Sequence, residues 1–86
     1  MSDQILMLVH IKLLANYRNL LPPGTTGDQI SILVPEGSFT ASIMEMFNIP
    51  PMPESVILIN GMTLNPEKPL QEDDVICVFP AMAGGQ

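Results

Sequence analysis

Pro69-Leu70-Gln71-Glu72-Asp73-Asp74-Val75-Ile76-Cys77-Val78-Phe79-Pro80-Ala81-Met82-Ala83-Gly84-Gly85 is the stretch that decides the fold. It reads in three parts. Glu72-Asp73-Asp74 is a polar turn, and Leu70 just before it is placed to plug a core. Val75 to Phe79 is an apolar run of strand length, closed by Pro80. Ala81-Met82-Ala83 then leads to a diglycine, with Gln86 after it. Glycine has no Cβ, so it tolerates backbone conformations that other residues avoid and lets another surface approach closely. Two glycines on a protruding tail can thread a narrow channel in a partner. A C-terminal carboxylate, once activated, can accept sulfur or an amine. Terminal residues most commonly just fray, so the remainder of the chain must decide between these readings.

Toward the N-terminus, Val56-Ile57-Leu58-Ile59 within Glu54 to Ile59 is a continuous apolar run suited to a buried central strand. Asn60-Gly61 is a tight-turn pair that accepts positive φ. Met62-Thr63-Leu64 can pair back briefly, and Asn65 to Pro69 is a loop. Thr40 to Phe47 reads as a short helix, with Phe39, Ile43 and Phe47 recurring every four residues and Met44 and Met46 beside them. Ser38 and Thr40 are the candidate caps, although neither has Glu or Gln three residues on. Asn48-Ile49-Pro50-Pro51 stops the helix, because proline disfavours helical geometry in the residue before it.

Gln29 to Val34 alternates, with Ile30, Ile32 and Val34 on one face, and Pro35-Glu36-Gly37 ends it. Ile5 to Leu14 is the first strand: Met7, Val9, Ile11 and Leu13 share one face, while His10 and Lys12 lie on the other. Asn16 to Leu21 reads as a short helical turn. Pro22-Pro23-Gly24 breaks the chain after it, and Thr25-Thr26-Gly27-Asp28 extends the loop. The order is strand, strand, helix, strand, short strand, strand. A hairpin, a crossover helix and later strands then complete a mixed sheet, with one helix on one face: a two-layer α+β domain.

Composition narrows the function. Eighty-six residues fit one domain with a modest core. No apolar run approaches the roughly 18 residues of a membrane span. Met1-Ser2-Asp3-Gln4 lacks a basic n-region and the run Ile5 to Val9 is short for a signal peptide, so a cytoplasmic protein away from membranes is expected. Cys77 is the lone cysteine, which excludes an internal disulfide and a Cys-rich metal site. Three basic against nine acidic residues give a net charge of −6, which repels phosphate backbones and argues against nucleic acid. The same balance steers the protein toward a basic partner surface.

Four stretches together resemble the MoaD/ThiS family of ubiquitin-like sulfur carriers. Lys12-Leu13-Leu14-Ala15-Asn16-Tyr17-Arg18-Asn19-Leu20-Leu21 is similar to the family's first strand and turn. Val34-Pro35-Glu36-Gly37 is similar to the lead into its helix, and Leu58-Ile59-Asn60-Gly61 to its V-N-G hairpin. Pro69 to Gly85 resembles the pattern P-L-x-x-G-D-x-V-x-x-F-P-P-V-x-G-G. The resemblance implies a β-grasp (ubiquitin-like) fold, with a mixed sheet of four to five strands and one main helix on one face. It implies a domain over residues 1–80 and a flexible tail over 81–86. There are departures from the pattern at the turn and in the tail. Asp73 stands where the family has Gly, Ala81 replaces the second Pro, and Gln86 follows the diglycine where mature carriers end at Gly.

The resemblance also implies a protein cosubstrate and not an enzyme, with no bound cofactor. A ubiquitin-activating-type adenylyltransferase (MoeB/ThiF-like) uses ATP to activate the terminal Gly carboxylate, and a sulfur donor converts it to a thiocarboxylate. In the MoaD branch the sulfur goes to a molybdopterin precursor with a MoaE-like molybdopterin synthase large subunit. In the ThiS branch it goes to the thiazole of thiamin. By this reading Gly85 is the acceptor and Gly84 the threading residue, and a protease must trim Gln86; the rival is that Gln86 stays and the chain is not activated. Two other functions remain open: a modifier joined to lysines by isopeptide bonds, and an interaction module whose tail has no chemistry.

If Ile76 and Val78 face the core, as the family resemblance implies, Val75, Cys77 and Phe79 face the other way. Phe79, Pro80 and Met82 then form an apolar lip for partner docking, since aromatics and Met are common interface anchors. The alternative is that Phe79 is satellite core. His10 reads as a surface histidine and Glu72-Asp73-Asp74 as a solvated turn, not a calcium loop, so no metal is expected. Cys77 reads as a structural or partly exposed thiol, and Lys12 and Arg18 as surface charges able to meet a partner carboxylate.

Overall fold

The computed structural model describes residues 4–51, 54–63 and 68–81. Strand β1 (Leu6–Leu13) leads into a short 3-10 helix (Ala15–Leu20), followed by β2 (Gln29–Pro35), helix α1 (Thr40–Met46), β3 (Ser55–Ile59), β4 (Met62–Thr63) and β5 (Val75–Pro80). The strands form one sheet in the order β2-β1-β5-β3-β4. β1 and β5 run parallel and every other pair is antiparallel. This is the expected two-layer α+β arrangement, with a hairpin first and the last strand inserted at the middle of the sheet.

Alternation decides what is buried. Met7, Val9, Ile11 and Leu13 of β1 are buried on the face that also carries Val34, Ile57, Ile76 and Val78. Ile43 and Met44 of α1, Leu70 from the loop, and Tyr17, Leu21 and Ile49 join this core. The helix has only seven residues, too few to be stable alone in water, so burial of its apolar side holds it. The four-residue stripe expected on that helix holds at Ile43, which is buried, and at Phe47, which packs against the core, but not at Phe39, which is exposed; of the flanking methionines Met44 is buried and Met46 exposed. Neither cap candidate caps it. Phe39 occupies the N-cap position without a side-chain bond, Thr40 is buried, and the Ser38 hydroxyl donates back to the Pro35 carbonyl at 2.6 Å.

The strand expected to be central is not. β3 lies second from the edge, and β5 takes the middle. Within β3, Ser55 and Ile57 are buried, while Val56 and Leu58 are half-buried on the opposite face. A continuous apolar run marks a central strand only when both faces of the sheet are covered. Here α1 covers one face, so the run instead places apolar residues on the open face. Asn60 and Gly61 have φ of 53 and 83, the doubly positive pair required by a two-residue hairpin, which closes β3 onto β4 at Ile59 and Met62.

One polar network lies inside the apolar layer. The hydroxyls of Tyr17 and Ser55 are 2.8 Å apart, and Ser55 also donates to the Pro50 carbonyl. A carbonyl only accepts, so the Ser55 hydrogen goes to Pro50 and the Tyr17 hydrogen to the Ser55 oxygen. The bonds tie the 3-10 helix to β3 and to the chain after α1. Ser55→Ala leaves the Tyr17 hydroxyl without its acceptor, with an expected loss of about 1–3 kcal/mol. Urea unfolding of the variant checks this, and an unchanged midpoint would show that the network contributes nothing.

Candidate docking face and tail root

Because β5 is central and period-two, its two faces have different roles. Ile76 and Val78 are fully buried, and Val75, Cys77 and Phe79 are half-buried on the open face, as the alternation requires. Pairing brings neighbours to them. Val56 lies opposite Phe79, Leu58 opposite Cys77, and Lys12 beside Cys77 in the parallel pair. A strip of apolar side chains from β3 and β5 therefore runs up to Pro80, the last residue of the strand. Phe79 and Pro80 are half-buried members of this strip rather than a freely projecting lip. The Ala81 N–H donates to the Glu54 carbonyl at 2.8 Å, which holds the chain to the start of β3. Met82, Gly84, Gly85 and Gln86, all singled out in the sequence, lie outside the described residues.

Val56 and Leu58 belong to this face although the sequence marked them as core. The signal that finds them is register: Val56 pairs with Phe79 and Leu58 with Cys77, and directly paired residues share a face. Near the same end of the sheet, the 3-10 helix and the loop after it enclose an open cleft of about 400 Å³ with Arg18 on its wall. Cys77 is a free, half-buried thiol beside Lys12.

The acidic turn is structural as well as solvated. Asp74 accepts from the Gln71 N–H at 2.8 Å and from the Asn60 amide at 2.9 Å, and Asn60 in turn accepts from the Val75 N–H at 2.9 Å. Glu72 accepts from the Leu8 N–H at 3.2 Å. The turn thus fastens β1 and the β3–β4 hairpin to the start of β5. Asp73 has φ 66, a left-handed conformation that glycine takes at no steric cost; this accounts for the glycine in the resembled pattern. His10 sits between Ser31 (2.7 Å) and Asp73 (3.2 Å), half-buried on the open face. Among the described residues, no group of three His, Cys, Asp or Glu side chains is placed to hold a metal ion. None of the helices among them is long and apolar enough to cross a membrane.

Known proteins match this architecture. The chain is similar in structure to the Haloferax volcanii HVO 2177 protein (20% identity, TM-score 0.77), covering 99% of this chain and 92% of that one. It is similar to a Pyrococcus furiosus protein described as a molybdopterin converting factor, subunit 1 (22% identity, TM-score 0.67, covering 88% and 99%). It is also similar to SAMP1 from Haloferax volcanii (13% identity, TM-score 0.66, covering 91% and 99%). These likenesses establish the β-grasp, ubiquitin-like fold. Among curated proteins no sequence matches significantly. The sequence model of the ThiS family matches residues 11–85, from the middle of β1 through the second glycine of the pair. With that match over nearly its whole length, the chain belongs to the ThiS family of small ubiquitin-like carrier proteins.

Proposed function

We propose that this protein is a sulfur carrier for molybdopterin biosynthesis, acting through a thiocarboxylate on Gly85. The observation that carries the reading is the family match, which runs from β1 through β5, the central strand, to Gly85. The Pyrococcus furiosus neighbour, described as a molybdopterin converting factor subunit, supports the molybdopterin branch. The Leu21-Pro22-Pro23-Gly24 loop and the Phe79-Pro80 pair are further MoaD-like features.

The chemistry requires cleavage of the Gly85–Gln86 peptide bond by a protease. The freed carboxylate attacks the α-phosphorus of ATP on a MoeB/ThiF-like partner, releasing pyrophosphate. A carboxylate oxygen is a poor leaving group, and the acyl-adenylate supplies AMP in its place. A hydrosulfide-level donor then adds to the Gly85 carbonyl carbon, AMP departs with the C–O electron pair, and the thiocarboxylate remains. On a MoaE-like subunit its sulfur adds to an unsaturated, electrophilic carbon of the precursor, and the electron pair of that π bond moves to the adjacent atom, which takes up a proton. Water then cleaves the acyl–sulfur bond, leaving sulfur on the product and regenerating the Gly85 carboxylate. Ala81 to Gly85, fully extended, spans at most about 17 Å, enough to carry that carbon into a partner's cleft.

In this reading the strip formed by Val56, Leu58 and Phe79, continued by Pro80, docks both partners, together with Met82 two residues further along the sequence. Phe79→Ala is expected to weaken binding to the activating enzyme by about 10-fold or more, as loss of an aromatic anchor does. Titration calorimetry checks it, and unchanged affinity would remove Phe79 from the interface. Trimming is tested by incubating the protein with lysate of its source and recording intact mass; persistent full length under carrier-producing conditions rejects it. The acceptor is tested by offering the thiocarboxylated protein a MoaE-like subunit with molybdopterin precursor, and separately a thiazole-forming system or lysine-bearing proteins. Sulfur is expected in the pterin product. Thiazole or isopeptide-linked products instead would overturn the molybdopterin assignment.

A further inference from the structure

β2 is an edge strand, and its hydrogen-bonding pattern can be assigned residue by residue. The pairing with β1 is fixed at both ends: the Leu13 N–H donates to the Asp28 carbonyl at 2.9 Å, and the Glu36 N–H to the Ile5 carbonyl at 2.7 Å. In an antiparallel ladder, hydrogen-bonded and non-bonded pairs alternate. Counting inward from either end of the register gives the same answer. Ile30, Ile32 and Val34 bond to β1, and Ser31 and Leu33 turn their N–H and C=O groups outward. Among the described residues no backbone group meets them there.

This edge is weakly guarded. β2 contains no charged residue, and Pro35 blocks only its last position. Leu33 is 61% exposed, and Ile30 and Ile32 are half-buried along the same strand. Open edges of this kind recruit extended segments, with main-chain bonds giving affinity and alternate side chains giving specificity.

The ends of the edge select the occupant. Asp28 and Glu36 bracket it, about 26 Å apart along an extended strand, in a chain of net charge −6. Neither has a salt-bridge partner among the described residues. A second copy paired antiparallel about Ile32 would match Ser31 with Leu33 and satisfy the bonds. It would also set Asp28 against Glu36 at both ends, and like charges directly opposite are destabilising. A segment with Lys or Arg at those two places meets the same edge with attraction. We propose that the outer edge of β2 is a strand-addition site for an extended partner segment with alternating apolar residues flanked by basic ones. The edge is separated from β5 by β1, so its occupancy is independent of the proposed tail chemistry.

The test uses the full-length protein and two nine-residue peptides of alternating Val and Thr, one with Lys and one with Glu at both ends. Amide hydrogen exchange at Ser31 and Leu33 is followed by NMR. The Lys peptide at saturation is expected to slow both amides by about 10-fold or more, and the Glu peptide is not. The double variant D28K/E36K is expected to exchange the preference. Leu33→Pro removes an outward N–H without touching the β1 ladder, and is expected to keep the fold's exchange pattern while abolishing peptide protection. Absence of protection, equal protection by both peptides, or amides already protected in dilute free protein would each overturn the proposal.

Discussion

Replacing Gly84 with valine, or Gly85 with alanine, in the trimmed protein is expected to lower ATP-dependent thiocarboxylate formation by about 100-fold or more, the scale of loss when a reacting atom is displaced by about 1 Å. The physical cause is local. A side chain at either position widens the segment that must enter the activating site and displaces the carbonyl carbon from the attacking groups. Thermal unfolding is expected to be unchanged, because the core ends at Val78 and the last described main-chain bond is made by Ala81. Single-turnover activation with equal protein loading separates the two effects. A variant that is activated at the wild-type rate would exclude a threading role for the diglycine.

The largest stability effect is expected at Ile76, fully buried on the central strand and paired with Ile11 and Ile59. Ile76→Ala should cost about 2–5 kcal/mol from lost burial and the cavity left behind. A domain of this size has roughly 4–13 kcal/mol in total, so the variant is close to unfolding at physiological temperature. Leu33→Ala, on the exposed edge, should change stability by less than about 0.5 kcal/mol. Urea midpoints of the pair check the contrast. Equal losses would mean that the sheet does not have one buried and one open face.

Much of this fold was legible because its strands alternate. Met7, Val9, Ile11 and Leu13 announced their face, whereas β5 is apolar from Val75 to Phe79 and only the family resemblance placed Ile76 and Val78 inward, where both are buried. Asn60-Gly61 announced its hairpin through the φ values that only a few residues accept readily. Where alternation was lost, legibility was lost with it. Val56-Ile57-Leu58-Ile59 is apolar throughout, and nothing local distinguishes a strand covered on both sides from one with an apolar open face. The number of helical layers decides that, and it is a tertiary property. The helix start misled for a related reason: Ser38 has cap chemistry, but its hydroxyl is taken by the Pro35 carbonyl. The open face was half legible. Phe79 followed from parity within β5, while Val56 and Leu58 required the β3–β5 register, which no single-strand pattern contains. The acidic run Glu72-Asp73-Asp74 read as solvent-facing, and its bonds to Leu8, Asn60 and Gln71 appear only once distant segments meet.

The function proposed for Gly85 is to carry sulfur. Its most direct test is the intact mass of the protein, trimmed to Gly85, after reaction with the activating enzyme of its source, ATP and a sulfide donor. An ATP-dependent mass gain equal to replacing one oxygen by sulfur is expected, mapped by fragmentation to the Gly85 carboxylate and lost in the protein that retains Gln86. No ATP-dependent change in the trimmed protein, or sulfur mapped to Cys77 instead, would contradict it.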